Sequence, residues 1–247
     1  MTSWRARHIE RCALLLLKNG YSPVPIEPNH KRPLGALGDW DRLRITPLTE
    51  REIVQIYAEH PTAGLGVAGG YHGLCPIDED TEDPEIVAAM QPVLPESLVG
   101  KRGRRGKTGF YRDPSGLIKA CKFKTPENIM LVEVLATGQT IVPPTIHPET
   151  RQPYVYLTDC SLLDVPVEEL PELPPDIVER LEVALRPWAT PQKTNFRPMG
   201  ILTQPISAER MRSYADLCAD HGISLRHYGY GNQRTTCPKC SHREEET

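Results

Sequence analysis

Prolines interrupt this sequence along its whole length and limit the elements that it can form. The chain has 25 prolines among 247 residues. A proline inside a helix removes a backbone hydrogen bond and clashes with the preceding turn. Long uninterrupted helices are therefore disfavoured, and many loops and short strands are expected. Hydrophobic residues make up 39% of the chain, which is enough for a packed core in one large or two small domains.

Charge and cysteine content narrow the functional classes. The formal net charge is −3, so a nucleic-acid surface would have to be a local basic patch. Of the seven cysteines, only Cys237 and Cys240 are closely spaced, which suits a reducing compartment rather than a disulfide framework. The longest fully apolar run, residues 12–17, is too short for a membrane span or a signal-peptide core. We therefore expect a cytoplasmic protein with no membrane partner.

An acidic cluster follows a short apolar run, Leu74–Ile77, which we predict to be a strand. Strand side chains alternate, so Asp78 and Asp80 point to one face and Glu79 to the other. Two carboxylates on one face offer hard oxygen ligands for Mg²⁺ or Mn²⁺, and they would repel each other without a cation. The alternative is an acidic turn that closes a strand. The third acid and the basic segment that follow favour the metal site.

A basic, glycine-rich segment occupies residues 100–112. Five cations lie among three glycines: Lys101, Arg102, Arg104, Arg105 and Lys107. Glycine allows backbone N–H groups to approach an anion, and Lys and Arg supply the charge. The spacing does not match a P-loop, and residues 108–112 favour a strand rather than a helix. We predict a phosphate-binding loop; the alternative is a flexible, solvated loop.

Glu133 interrupts an apolar run at residues 128–135, which we predict to be a central strand. Burial of a carboxylate is costly unless it is paired or bound to a metal. The alternative is an edge strand on which Glu133 faces water. Beyond it, residues 140–142 and 154–157 are predicted to pair as a hairpin. His147 lies between them; such a histidine is usually on the surface, but here it is a candidate for ligand contact.

The remaining pattern predicts helices at residues 3–19, 49–59, 84–91 and 174–185. Thr49 is expected to cap the second helix, with Glu52 at the capping-box position. Strands at residues 64–70 and 74–77 are expected to form a hairpin. Residues 187–205 lack periodicity and are predicted to be a linker, and residues 207–219 are predicted to form another helix.

The C-terminal region contains Cys237-Pro-Lys-Cys240, which has the spacing of a zinc knuckle. A structural zinc ion takes four ligands, and no second pair with this spacing follows. Candidate partners are Cys218, His221, His227 and His242. We expect an incomplete zinc site whose remaining ligands lie further downstream in a longer protein, and therefore weak or absent Zn²⁺ binding.

The order of these motifs resembles the bifunctional primase-polymerase domain of phage, prophage and plasmid replication proteins, in the archaeo-eukaryotic primase superfamily. The resemblance covers roughly residues 10–185 and lies in order and spacing rather than in one motif. Its parts are Tyr21-Ser22-Pro23-Val24-Pro25-Ile26, Lys31-Arg32-Pro33-Leu34, Trp40, Gly64-Leu65-Gly66-Val67, the acids at 78–80, and Glu133 followed by Gly138 and Pro143-Pro144-Thr145-Ile146-His147-Pro148.

This resemblance implies an α+β fold with mixed, mostly antiparallel sheets flanked by helices. The catalytic domain would span residues 1–186, followed by the linker and by a helical, zinc-knuckle piece at 206–247. It implies two-metal nucleotidyl transfer by a DNA primase or DNA polymerase, in which Asp78, Asp80 and Glu133 hold Mg²⁺ or Mn²⁺. The implied partners are a single-stranded DNA template, a primer, dNTP or NTP, and a downstream helicase domain or partner.

One departure affects the nucleotide site. The second motif of the family usually carries a histidine that contacts the triphosphate, whereas the matching strand here is Gly106-Lys107-Thr108-Gly109-Phe110-Tyr111-Arg112. The predicted nucleotide-binding residues are therefore Arg104, Arg105, Lys107, Thr108 and His147. The predicted nucleic-acid-binding residues are Lys31, Arg32, Lys101, Arg102 and Arg112. Two rival functions remain: an inactive single-strand-binding or replication-initiation module, and a metal-dependent nuclease.

Overall fold

The computed structural model describes residues 4–193, 224–228 and 232–236. The chain divides into two compact units, residues 1–196 and 197–247. The predicted helix at 207–219 and the pair Cys237 and Cys240 lie outside the described residues. Among the described residues, none of the helices could span a lipid bilayer.

Residues 4–193 contain four α-helices, close to their predicted positions: α1 Trp4–Lys18, α2 Glu50–Glu59, α3 Pro84–Met90 and α4 Ile177–Leu185. Helix α2 begins with the predicted capping box. The Thr49 hydroxyl accepts a hydrogen bond from the Glu52 N–H, and the Glu52 carboxylate accepts one from the Thr49 N–H. Capping depends on neighbours in sequence, so it is visible in the sequence alone.

The strands are β1 Pro23–Ile26, β2 Gly64–Gly69, β3 Ile77–Glu79, β4 Gly100–Arg102, β5 Lys107–Gly109, β6 Cys121–Lys124, β7 Met130–Val134, β8 Gly138–Ile141, β9 Val155–Tyr156, β10 Thr190–Lys193, β11 Ser224–Tyr228 and β12 Asn232–Thr236. In the second unit, β11 and β12 pair with each other in antiparallel fashion.

In the described part of the first unit, the strands form two sheets. The smaller sheet has the order β1-β2-β8, and helices α1 and α2 share a core with it that includes Leu16, Tyr57 and Val67. The larger sheet has the order β10-β6-β7-β3-β5-β4-β9. Its strands pair in antiparallel fashion throughout. The α+β class with antiparallel sheets is confirmed.

One face of the larger sheet is packed against helices α3 and α4. Val132 and Phe123 are fully buried there, with Met90 from α3 and Leu181 from α4 in the same apolar cluster. The alternate positions of β3 and β7 carry Asp78 and Glu133 on the opposite face. That polar face and residues of β8 border one cleft.

Two predicted hairpins are wrong. Strand β2 pairs with β1 and β8, whereas β3 pairs with β5 and β7, so 64–70 and 74–77 belong to different sheets. Strand β8 pairs with β2, and β9 pairs with β4. The turn around 149–153 is instead closed by backbone hydrogen bonds from His147 N–H to the Gln152 carbonyl and from Tyr154 N–H to the Thr145 carbonyl. Hairpins were inferred from adjacency in sequence, which long-range pairing overrides.

The predicted linker begins too early. Residues 190–193 form β10, which pairs with β6 and extends the larger sheet. A four-residue strand leaves too short a pattern to detect, and Pro191 is tolerated because β10 lies at the edge of the sheet. Strand β7 lies between β6 and β3, so the alternative that placed Glu133 on an edge strand is also wrong.

Candidate active site

A cleft of about 390 Å³ lies between the polar face of the larger sheet and strand β8. Gln139, Thr140 and Ile141 line it from β8. Ten of the side chains that the sequence marked as functional also line it: Lys31, Asp78, Asp80, Lys101, Arg104, Arg105, Lys107, Thr108, Glu133 and His147. The fold thus brings together segments that are separated by more than a hundred residues.

A row of polar side chains crosses the central strands of the sheet. The pairing register places Lys122 opposite Glu133, Glu133 opposite Asp78, Asp78 opposite Thr108, and Thr108 opposite Lys101. Directly opposed residues in antiparallel strands share a face and lie within contact range. These five side chains, called the polar row below, are Lys122, Glu133, Asp78, Thr108 and Lys101.

Asp78 of β3 and Asp80, the residue just beyond the strand, both line the cleft. The buried Thr108 hydroxyl donates a hydrogen bond to Asp78 Oδ1. Burial raises the pKa of Asp80, and the nearby negative charge of Asp78 raises it further, while Arg105, Lys31 and Lys101 act in the opposite direction. The charge of Asp78 thus adds to burial in disfavouring the ionised form of Asp80, and a bound cation would offset both effects.

Glu133 reaches the cleft from β7. Its Oε1 lies 3.1 Å from the Lys122 ammonium, which balances its charge. Within the described ranges, no three His, Cys, Asp or Glu side chains are grouped closely enough to hold a metal ion. The three acids nevertheless match Mg²⁺ or Mn²⁺ in donor chemistry, since all offer hard carboxylate oxygens into one cleft. To bind a metal ion there, Glu133 would have to give up its ion pair with Lys122.

Strands β4 and β5 and the turn between them form the basic hairpin. Gly106, at φ +60°, lies so close to β3 that a Cβ there would be 1.7 Å from the Glu79 carbonyl oxygen. A Cβ on Gly103 would lie 2.5 Å from Tyr154 and 3.2 Å from His147. The glycines thus allow the hairpin to pack closely against its neighbours. The predicted approach of its backbone N–H groups to an anion stays a prediction.

Lys101 is a buried cation in this hairpin. Only 5% of the residue is exposed, and its ammonium lies 5.1 Å from the centre of the Tyr154 ring. Burial lowers the pKa of Lys101 to about 8, and Lys31 also lowers it, although Asp78 and Asp80 oppose the shift. Within residues 4–193, Lys101 forms no ion pair. Its charge is therefore available to an anionic ligand in the cleft.

His147 also lies in this part of the cleft, with 1% of its surface exposed. Its Nδ1 accepts hydrogen bonds from the backbone N–H groups of Glu149 and Thr150 at 3.2 and 3.3 Å. The neutral ring must then carry its proton on Nε2. Burial lowers the pKa of His147, and nearby Lys31 lowers it further. The cleft therefore contains a histidine, supplied by a loop rather than by the strand on which the resemblance places one.

Glu149 lies at the cleft beside two of the predicted phosphate-binding cations. Its carboxylate lies 2.6 Å from Arg104 Nη1 and 4.0 Å from the Lys31 ammonium. The hydrogen bond from Arg104 lowers the pKa of Glu149, and the charge of Lys31 adds to the effect. Glu149 thus already pairs with these cations, and an anionic ligand in the cleft would have to compete with it for them.

Four residues predicted to bind nucleotide or nucleic acid make contacts outside the cleft or do not line it. The Lys107 ammonium lies 3.4 Å from the carboxylate of Glu79, on the reverse face of β3, although the residue borders the cleft. Arg102 donates from Nε to the Gly106 carbonyl at 2.9 Å, and Arg112 pairs with Glu172. Arg32 is exposed on a loop. Arg102, Arg112 and Arg32 do not line the cleft.

Sequence reasoning missed three neighbours of the site: Lys122, Glu149 and Tyr154. The alternation of Cys121, Lys122, Phe123 and Lys124 could have predicted β6 with its lysines on one face. The position of Lys122 opposite Glu133 could not have been predicted, because register across a sheet depends on long-range pairing.

Comparison with known proteins gives one finding. No curated protein matches the chain, but the model of the Prim-Pol family, described as "Bifunctional DNA primase/polymerase, N-terminal", matches residues 13–175. That range includes the whole polar row and every residue that lines the cleft. The match confirms the resemblance inferred from the motifs and supports a replication function of the primase or polymerase type. The chain therefore belongs to the family of bifunctional DNA primase/polymerase N-terminal domains.

Proposed function

We propose that this domain catalyses template-directed nucleotidyl transfer, as a DNA primase, a DNA polymerase or both, in the replication of a phage, prophage or plasmid. The observation that supports this most strongly is the position of Asp78 directly opposite Glu133, with Asp80 on the same face. Acids from two strands thus converge beside a group of cations in one cleft. Family membership supports the same class of chemistry.

The charges in the cleft are divided in a way that fits a nucleoside triphosphate. The acids occupy the middle of the polar row, and the basic hairpin supplies Lys101, Arg104 and Arg105 at one end. The phosphates would lie at the hairpin end, where Lys101 offers a charge without a paired carboxylate. An anion beside Lys101 favours its protonated form, and His147 can donate a hydrogen bond from Nε2.

Asp78, Asp80 and Glu133 would hold Mg²⁺ or Mn²⁺. When bound, such ions neutralise charge on the phosphates and make the attacking hydroxyl more acidic. Thr108 fixes the orientation of Asp78 through its hydroxyl. The cations of the hairpin stabilise negative charge that accumulates on the leaving pyrophosphate.

Primer extension tests the proposal directly. A labelled primer on a DNA template is incubated with dNTP or NTP and with Mg²⁺ or Mn²⁺. We expect extension by the parent protein and none by Asp78→Asn or Glu133→Gln. A thermal-shift series should show that dNTP with Mn²⁺ stabilises the parent. Shortening of the primer would indicate a nuclease, and DNA binding without incorporation or nucleotide-dependent stabilisation would indicate a binding module.

De novo priming requires a separate measurement because it starts without a primer. We propose that Cys237 and Cys240 contribute to initiation by binding Zn²⁺. Cys237→Ser with Cys240→Ser should reduce synthesis without a primer and leave primer extension unchanged. Elemental analysis should find less than one Zn²⁺ per chain; stoichiometric Zn²⁺ would show that the site is complete in this chain.

A further inference from the structure

The polar face of the larger sheet continues past Glu133 onto its β10 edge. Gln192 of β10 lies directly opposite Lys122, and Thr190 lies opposite Lys124. The intervening residues of β6, Cys121 and Phe123, point to the opposite face and are buried in the core with α4. The side chains on the polar face are accessible: Lys122 and Lys124 are half-buried, and Thr190 and Gln192 are exposed.

We propose that this area, called the primer surface and formed by Lys122, Lys124, Thr190 and Gln192, binds the phosphates at the 3′ end of the primer strand. The inference rests on the proposed nucleotidyl transfer and adds to it the side from which the primer enters. The partner is thereby specified as the backbone of a DNA or RNA strand whose 3′-hydroxyl reaches the acids.

The direction follows from the geometry of the reaction. In nucleotidyl transfer the attacking oxygen and the leaving pyrophosphate lie roughly in line, on opposite sides of the reacting phosphorus. The cations that suit pyrophosphate are at the hairpin end, where Lys101 lies two strands beyond Asp78 in the sheet order. The hydroxyl must therefore approach from the other side of the acids. That side is β7, then β6 and β10.

The chemistry of the primer surface fits a phosphate backbone. The Lys122 side chain is 37% exposed while it pairs with Glu133, and the Lys124 ammonium donates to the Asn128 side-chain oxygen at 2.8 Å at an exposed position. Both ammonium groups are therefore accessible to a phosphate without any rearrangement of the core. Gln192 and Thr190 add neutral hydrogen-bond donors, and all four act on the backbone rather than on base edges.

Introducing negative charge at positions away from the acids tests the inference. Lys124→Glu with Gln192→Glu leaves Lys122, the partner of Glu133, in place. Lys119→Glu is the matched control, since Lys119 is exposed just before β6 and borders a separate pocket, beside Leu117 and Ala120, rather than the primer surface. Each variant is assayed for primer–template affinity by fluorescence anisotropy over a salt series, for the KM of dNTP, and for affinity to unprimed single-stranded template.

We expect the double variant to weaken primer–template binding by about tenfold or more and to reduce its salt slope by about one, because phosphate contacts release counterions. The KM of dNTP and the affinity for unprimed template should stay at the parental values, and Lys119→Glu should resemble the parent. Equal thermal midpoints would show that folding is unaffected; if the double variant is destabilised, Lys124→Ala alone replaces it.

Three results would overturn the inference. If the parent extends primers but the double variant keeps parental affinity and salt slope, the primer enters elsewhere while the proposed function stands. An equal loss on unprimed template would assign the surface to the template strand. A parent protein that neither binds primer–template nor extends it would overturn the proposed function, and this inference with it.

Discussion

The two faces of strand β3 have opposite characters. On one face, Asp78 borders the cleft together with Asp80 just beyond the strand, and Asp78 lies between Glu133 and Thr108 of the neighbouring strands. On the other face, the intervening Glu79 is buried and pairs with Lys107. Apart from that pair, the reverse face is apolar and packs against α3 and α4.

This difference separates the apolar side chains of the reverse face, which stabilise the fold, from the side chains of the polar row, which the fold does not require. Burial against two helices accounts for the apolar side chains of the reverse face. No comparable packing accounts for a row of ionisable and hydroxyl groups across the central strands, where partial desolvation of charge opposes folding. Perturbed ionisable groups in a cleft are typical of functional sites. We infer that the polar row is retained for chemistry.

The largest expected effect comes from neutralising Asp78, compared with neutralising its neighbour Glu79, which faces the other side of β3. Asp78→Asn should lower primer extension by roughly 10³-fold or more, because charge stabilisation in the transition state is lost. Its thermal midpoint should hold or rise, since repulsion with Asp80 is relieved. Glu79→Gln is the control: it should keep most activity while changing stability. Equal loss of activity in both variants would contradict the division between the faces.

The next largest effect is expected on the reverse face, where truncating a core side chain should reduce stability without changing the site. Phe123 is fully buried, and Phe123→Ala should lower the free energy of unfolding by about 3–5 kcal/mol. The neighbouring Lys122→Ala, on the polar face, should change it by less than about 1 kcal/mol, because its ion pair is partly exposed. Urea unfolding measures both values. Similar losses would show that the polar face also supports the fold.

Thr108 tests whether the polar row acts as a unit. Thr108→Val keeps the shape but removes the hydroxyl that donates to Asp78. The Mn²⁺ concentration for half-maximal extension should rise roughly 10- to 100-fold, as is typical when a residue that orients a metal ligand is lost. Thr108→Ser keeps the donor and should stay near the parent. If both variants shift the Mn²⁺ dependence equally, the hydroxyl is not what positions Asp78.

The comparison of faces also shows what the sequence could reveal. Alternation predicted that Asp78 and Asp80 share a face, and the capping box at Thr49 was visible because both are local properties. The pairing of Asp78 with Glu133, 55 residues later in the sequence, depends on how strands are ordered in the sheet. That order also overruled the expected hairpin between β2 and β3.

The basic segment shows the same limit in more detail. Its charge indicated anion binding, but charge alone could not separate residues that line the cleft from those that do not. Within one hairpin, Lys101 is buried beside the acids, whereas Arg102 points elsewhere and bonds to the turn. Strand alternation separates the two, and the sequence did not indicate that β4 begins at Gly100.

The smallest expected effect is the pH dependence of nucleotide binding through Lys101. Its pKa is lowered to about 8 by burial, from a usual value of 10.5. A bound triphosphate favours the protonated form, so affinity for dNTP should fall by up to about tenfold per pH unit as pH rises above about 8. Lys101→Arg stays charged over this range and should flatten the profile.

As pH rises, the contribution of Lys101 to the free energy of unfolding should increase, whereas the affinity for dNTP falls. Between about pH 8 and 10.5 the unfolded chain binds a proton at this lysine that the folded protein does not. The contribution of Lys101 to the free energy of unfolding therefore rises with pH over that window, and below it the burial of the charge is destabilising. Lys101→Met should then be more stable than the parent at pH 7 and bind dNTP more weakly. If Lys101→Met bound dNTP as tightly as the parent, the buried ammonium would have no part in holding the phosphates.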